Sequence, residues 1–261
     1  FTQTGNGLQP PPPLALIKVA DDLFNIEGSG GNVAVYVTDE GAIVVDDKFE
    51  RNHEEIVANI KKVTDKPVKY LINTHHHGDH SGGNAKMQGL GVEILLHKNA
   101  RANMVRGKMP GITRIAFADE TQVTLGGKEV IARHVGRGHT NGDAWVIFPA
   151  LRLVHAGDIF SGKSVPLIDT SNGGSLLHIS ESLKKAHAGI KNVDTIINGH
   201  TPANTTWADL DEYANFTADL AEYGRAGLKA GKTPEQLAAE WKLPAKYTGY
   251  SAQVANMMGG L

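Results

Sequence analysis

Residues 75–80 read His-His-His-Gly-Asp-His, and four imidazoles with a carboxylate inside six positions read first as a metal site. Neutral imidazole nitrogen and ionised carboxylate oxygen suit zinc, iron or manganese, whereas calcium and magnesium favour oxygen alone. The hexapeptide follows Val68-Lys69-Tyr70-Leu71-Ile72-Asn73, an apolar-rich run ending in turn formers, which predicts a strand with the cluster at its end. Alternate side chains of an extended segment share a side, so His75 and His77 can face one ion while His76 turns away. Gly78 permits a sharp turn, beyond which Asp79 and His80 reach toward a second ion. A solvated, His-rich loop that binds metal opportunistically is the competing reading. The interleaved Asp79 speaks against it, as do Ser81-Gly82-Gly83-Asn84, small residues that let backbone approach a site closely. Closed structural zinc is disfavoured because the chain has no cysteine.

A chain of 261 residues buries roughly three quarters of its unfolded surface, so a metal here serves chemistry rather than the fold. No composition break divides it, and we expect a single domain over 14–261 preceded by a Pro-rich tether over 1–13. A net charge of −2 and the lack of a basic stripe disfavour nucleic acid and point to a small-molecule substrate. No apolar run is long enough for a bilayer. Phe1 in place of Met, with Pro10–Pro13 behind it, reads as the trimmed start of a periplasmic or secreted protein. Oligomeric state is not legible.

Moving outward from the hexapeptide, Leu23–Ile26 and Val33–Val37 predict a hairpin with a glycine-rich tip, and Ala42–Val45 a strand ending at Asp46-Asp47. A helix is expected over 52–64, where Ile56, Val57, Ile60 and Val63 share a face and the charges follow the helix dipole. Short helices near 84–88 and 99–107 flank a strand at 92–96, and 108–118 reads as a loop. Further strands are expected at 122–125, 129–135, 144–148, 151–155 and 193–197, the last of the series. Helices are expected at 175–188, from Trp207 to about Leu228, and at 233–236, where Thr-Pro-Glu-Gln is a capping box. Two similar halves of this order predict an α/β fold in which two sheets pack together with helices outside and strand ends meet at one rim.

Three further donors follow strands, each just after a glycine: His139 in Gly136-Arg137-Gly138-His139-Thr140, Asp158 in Ala156-Gly157-Asp158, and His200 in Asn198-Gly199-His200. Any one alone reads as an ordinary loop residue. Together with the hexapeptide they make seven ligands, enough for two ions. His75, His77 and His139 would hold one, Asp79, His80 and His200 the other, and Asp158 would bridge, leaving positions for water.

Thr74-His75-His76-His77-Gly78-Asp79-His80-Ser81-Gly82-Gly83, Gly138-His139-Thr140, Gly157-Asp158 and Gly199-His200 resemble the successive motifs of the metallo-β-lactamase superfamily, in order and over most of the chain. The resemblance implies a four-layer αββα sandwich with two zinc ions at one edge and hydrolysis of an ester, thioester, amide or phosphoester. Asp46 matches the family's acid that orients a ligand histidine, with an ordinary strand-end turn residue as the other reading. In the best-known β-lactam-hydrolysing subclass the position of Asp158 is cysteine, whereas lactonases and glyoxalase-type thioesterases carry aspartate. Lys163 and Asn172 fall near residues with which such enzymes hold a substrate carboxylate and carbonyl. Lys163 stands two residues late, so a solvated loop lysine competes with that role.

Gly157–Ser164 satisfies the P-loop pattern letter for letter, yet Pro166 and the turn residues 169–174 follow where a phosphate-binding helix should start. His53-Glu54 opens a zincin motif that Val57 breaks. The expected mechanism is therefore attack on the carbonyl of a cyclic amide such as a β-lactam, with weak activity, by a hydroxide held between two zinc ions. Asp79 would orient the hydroxide or relay its proton. Lactone or thioester hydrolysis is the alternative within the fold. An iron-dependent redox enzyme or a non-catalytic metal-binding module are the alternatives of another class.

Overall fold

A computed structural model describes residues 12–200 and 205–251 of the chain, so the tether expected over 1–13 lies almost wholly outside the described residues. Seven strands form the first sheet, in sequence order: β1 (Ala15–Ala20), β2 (Leu23–Glu27), β3 (Val33–Val37), β4 (Ala42–Val45), β5 (Val68–Ile72), β6 (Glu93–His97) and β7 (Ile115–Phe117). Strands β1 to β4 are antiparallel neighbours, whereas β4 to β7 run parallel, with Val45 opposite Ile72 and Ile72 opposite Leu95. Parallel neighbours need crossovers. These are helix α1 (His53–Lys61), the short helices α2 (Gly78–Ser81) and α3 (Asn84–Gly89), and helix α4 (Lys98–Arg106).

The second sheet runs β13-β12-β11-β10-β9-β8, built from β8 (Glu120–Leu125), β9 (Lys128–Arg133), β10 (Trp145–Phe148), β11 (Leu153–Gly157), β12 (Thr195–Asn198) and β13 (Thr205–Thr206). Only β11 and β12 are parallel, joined through helix α5 (Leu176–Gly189). Helices α6 (Trp207–Lys229) and α7 (Pro234–Glu240) follow, each opened by a complete capping box, at Thr206/Asp209 and Thr233/Gln236.

One apolar cluster lies between the sheets, where Tyr36, Ile43, Ile72 and Leu95 of the first meet Val130, Val146, Phe148 and Ile197 of the second. A second covers the outer face of the first sheet, with Val33, Val35 and Val44 under Ile56 and Ile60 of α1. The third packs Ile179, Leu183, Tyr213 and Phe216 of α5 and α6 over Val154 and Ile196. Three cores between four layers are the αββα sandwich.

The sequence reading missed three strands. Segment 108–118, expected as a loop, contains β7, whose three residues pair with Leu95–His97 but are too few to show alternation. Strand β1 is an edge strand with no fully buried residue, so its hydrophobic pattern is weak. Strand β13 follows the one expected to be last and has two residues. Strand β11 begins later than expected because 149–151 form a 3-10 turn with Arg152 left-handed behind it (φ 53°). The P-loop match opens with a 3-10 turn at Asp158–Phe160, and no helix of the α type follows before Leu176.

Candidate metal centre

The parallel pairs aim the carboxyl ends of β4, β5, β11 and β12 at one rim, the usual location of a site in such sheets. Asp46 follows β4, the hexapeptide follows β5, and Asp158 and His200 follow β11 and β12. The backbone bends at Thr74 and His75, is extended again at His77 (φ −62°, ψ 148°) and then enters α2 at Gly78. His75 and His77 still share a side, and the helical turn redirects Asp79 and His80.

His77 Nδ1 stands 3.2 Å from His75 Nε2 and 2.9 Å from His139 Nε2. In the other group His200 Nε2 lies 3.2 Å from both His80 Nε2 and Asp79 Oδ2. The Asp158 carboxylate sits between them, 3.1 Å from His200 Nε2, 3.2 Å from His80 Nε2, 3.7 Å from His139 Nε2 and 4.0 Å from His75 Nε2. Two triads, His75/His77/His139 and Asp79/His80/His200, are spaced so that each could hold one ion.

Neighbouring hydrogen bonds decide which ring nitrogens carry lone pairs. His139 Nδ1 donates to Leu167 O at 2.7 Å, and His77 Nε2 donates to Asp169 Oδ2 at 2.7 Å. Thr74 gives its hydroxyl proton to Asp46 Oδ2 at 2.7 Å, so its oxygen accepts from His75 Nδ1 at 3.1 Å. The inward nitrogens of His75, His77 and His139 are thus three clustered acceptors, that of His77 at hydrogen-bonding distance from the other two. Acceptors crowd this way only around something electron-poor. Asp158 Oδ1 repeats the pattern in the other half, a buried carboxylate oxygen with no aligned hydrogen-bond donor. The donors fit a transition-metal pair.

Burial, reinforced by charge on His80 and His139, holds His75 well below the ordinary imidazole value, and burial lowers His139 to about 4. Both are neutral at pH 7 and need lose no proton to bind. At His80 burial also disfavours charge, but Asp158 and Asp46 outweigh it and raise the pKa. At His200 burial is outweighed by Asp158 and Asp79, which raise the group to about 9. Burial works against ionising Asp158, yet His80 and His200 keep it well below the usual carboxylate range. This half demands positive charge, which imidazolium supplies and a cation would supply in its place.

Asp46 Oδ2 accepts from His80 Nδ1 at 2.7 Å, and Asp46 Oδ1 accepts from Thr74 N at 2.7 Å. Asp46 is left-handed (φ 60°) and fully buried, a conformation that a plain turn would assign to Gly or Asn. The hairpin tip is tied to the same ring: Gly31 N donates to Asp79 O at 3.0 Å and Asn32 N to Gly199 O at 2.7 Å. Buried Lys48 donates to Gly31 O at 2.5 Å. A Cβ on Gly31 would lie 2.1 Å from His80 Cε1, and one on Gly199 2.1 Å from Asp158 Oδ1, so both must be glycine for the backbone to pass this close.

Two expected substrate-binding residues are placed differently. Lys163 is not brought to the cluster: its ammonium pairs with Asp209 at 2.6 Å and Glu212 at 3.5 Å on α6 and lies over the Tyr250 ring. Asn172 comes close but is engaged, donating to Asp169 Oδ2 at 2.5 Å and accepting from Arg106. The sequence reading missed Asp169, Thr74 and Leu167, which set the protons of three histidines. Asp169 showed only turn composition, Thr74 stood unremarked beside the cluster, and a backbone carbonyl has no sequence signal at all.

Residues 26–170, more than half of the chain, match the family model described as the metallo-beta-lactamase superfamily. The chain belongs to that superfamily. Within the metallo-beta-lactamase superfamily it is similar to metallo-beta-lactamase IND-1 of Chryseobacterium indologenes, at 22% identity over 68% of this chain and 74% of that protein. It is also similar to a hydroxyacylglutathione hydrolase of Crocosphaera subtropica, at 30% identity over 36% of this chain and 35% of that one. The solved metallo-beta-lactamase from Pontibacter korlensis has the same fold, with a TM-score of 0.71 at 20% identity, over 78% of this chain and 98% of that chain. The protein is a hydrolase of this superfamily with His/Asp clusters able to hold metal. Among the described residues no helix is long and apolar enough to cross a membrane.

Proposed function

We propose that the rim holds two zinc ions and that the protein hydrolyses an acyl bond in a small molecule, a lactone or thioester in preference to a β-lactam. The observation that carries the metal is the crowding of three imidazole acceptors, with His77 Nδ1 3.2 Å from His75 Nε2 and 2.9 Å from His139 Nε2, each fixed in that tautomer by a partner on its far side. His75, His77 and His139 would hold one ion, Asp79, His80 and His200 the other, with Asp158 between. Zinc, when bound, polarises a carbonyl and brings the pKa of water to about 7.

Asp79 takes the catalytic part among the side chains. Burial opposes its ionisation, but the hydrogen bond from His200 and the charge of His80 keep it below the ordinary carboxylate range. Its partly exposed carboxylate can accept the proton shed by attacking water and return it to the leaving atom. Asp46 keeps the His80 ring aligned, and Asp169 does the same for His77.

The leaving group separates the substrate readings. An alkoxide or thiolate needs little help, whereas a β-lactam asks the site to hold a carboxylate and protonate nitrogen. Lys163, the cation expected for that carboxylate, is committed to α6. Ring opening of a β-lactam stays as the second reading because similarity to IND-1 spans two thirds of the chain. A periplasmic or secreted location belongs with that reading.

The test is a panel of an acyl lactone, a thioester, a penicillin and a carbapenem on zinc-loaded protein, with zinc counted in the same sample. We expect two zinc per chain and turnover of lactone or thioester that chelator abolishes and zinc restores. Two-zinc protein inert to the whole panel, or activity that follows iron content, refutes the proposal.

A further inference from the structure

His76, which the extended geometry turns away from the inner pair, meets a different set of donors. A nitrogen of His76, one of His77 and a carboxylate oxygen of Asp169 all lie within 4.8 Å of one another. The His76 and His77 rings are 4.7 Å apart at 48°, and His77 Nε2 is 2.7 Å from Asp169 Oδ2. We propose that these three residues form a third, outer site for a late first-row divalent cation, with His77 shared between it and the inner site.

Two observations point to a ligand rather than to ordinary packing. His76 is only 4% exposed, and its Nδ1 is buried with no hydrogen-bond partner, an unfavourable desolvation that a ligand on that nitrogen would offset. Asp169 is also held in place from behind. Asn172 donates to it through both its backbone and its side chain, and Arg106 fixes Asn172 in turn. The carboxylate is therefore ionised, fixed and still partly open to solvent, as is His77 beside it. Two imidazoles and one carboxylate leave coordination positions for water, the donor set of open rather than closed sites.

Entry of the cation displaces the proton that His77 Nε2 shares with Asp169. That proton goes to solvent, His77 binds through both nitrogens, and Asp169 changes from hydrogen-bond acceptor to ligand; no electron moves. The outer site thus fills last and empties first. It rests on the two-ion reading only through the sharing of His77.

Copper(II) serves as probe because it binds nitrogen donors most strongly in its series and has an EPR signal. Zinc-loaded protein is desalted, its zinc counted, and copper added in stoichiometric steps with zinc counted again. We expect one equivalent of copper to bind without zinc release, with splitting from two nitrogens, and His76→Gln to weaken it at least tenfold at unchanged zinc content. Copper that enters only as zinc leaves, or binds equally well to His76→Gln, overturns the outer site. Should His76→Gln not fold, His76→Phe, which keeps the ring volume without a donor nitrogen, is judged by the same two criteria. Failure of the inner pair appears separately, as a zinc count below two before any copper is added.

Discussion

Gly31→Ala is the sharpest perturbation of the rim, because the structure gives its size. The new methyl would start 2.1 Å from His80 Cε1 and 2.5 Å from each ring nitrogen. The ring cannot swing freely, since it is fully buried and bonded to Asp46 at 2.7 Å. Ordinary contact requires a retreat of roughly 1 Å, several times the tolerance of about 0.2 Å on a metal–ligand distance. Overpacking of this kind costs about 1–3 kcal/mol in stability. The larger effect falls on metal: with His80 displaced, the Asp79/His80/His200 half should bind zinc on the order of 100-fold more weakly, while the His75/His77/His139 half is untouched. Gly78→Ala is the control, at the start of α2, the short helix that carries His80, where an added methyl meets nothing within 4 Å. Competition against a chromophoric chelator, with zinc counted after dialysis, should find one tight zinc in Gly31→Ala and two in Gly78→Ala. Two zinc at wild-type affinity in Gly31→Ala would falsify the packing argument.

Asp46→Asn removes the charge that orients His80 and should weaken zinc by about 10–100-fold in the same competition assay; an unchanged affinity would show that packing alone holds the ring. Burial lowers Lys48 to about 8, so between that pH and the ordinary lysine value the folded state binds fewer protons than the unfolded one. Stability should therefore rise with pH across this window by on the order of 3 kcal/mol. Lys48→Met should lack that rise in urea melts, and a parallel pair of profiles would sink the assignment. Lys163→Ala should leave KM within about twofold on any substrate found and cost no more than about 1 kcal/mol, the worth of a partly exposed ion pair; a large KM increase would return Lys163 to the substrate site.

The donors were legible because each carries two signals at once, an unusual residue type and a position just past an apolar run with glycine nearby. Alternation placed His75 and His77 together and set His76 apart, and the glycine at 78 marked where the chain turns toward Asp79 and His80. What stayed hidden depends on distance in space rather than order in sequence. Asp169 meets His77 across 92 positions, and nothing in its turn-like surroundings distinguishes it from any other loop aspartate. For Lys163 the spacing, two residues late, already spoke against the rim, but not for its partners Asp209 and Glu212, which lie on α6 far along the sequence. Strands β1, β7 and β13 escaped because edge position or brevity erases the pattern that pairing then supplies.

The tethered hairpin tip has a kinetic consequence. Gly31 and Asn32 are bonded to Asp79, Gly199, Asn198 and Lys48, so this end of the tip is fixed on the rim before any ligand arrives. A substrate that passes this edge meets backbone already held in place and gives up no entropy of ordering Gly31 and Asn32. Turnover should then show no slow conformational phase before chemistry, and viscosity should affect it only through diffusion of substrate and product.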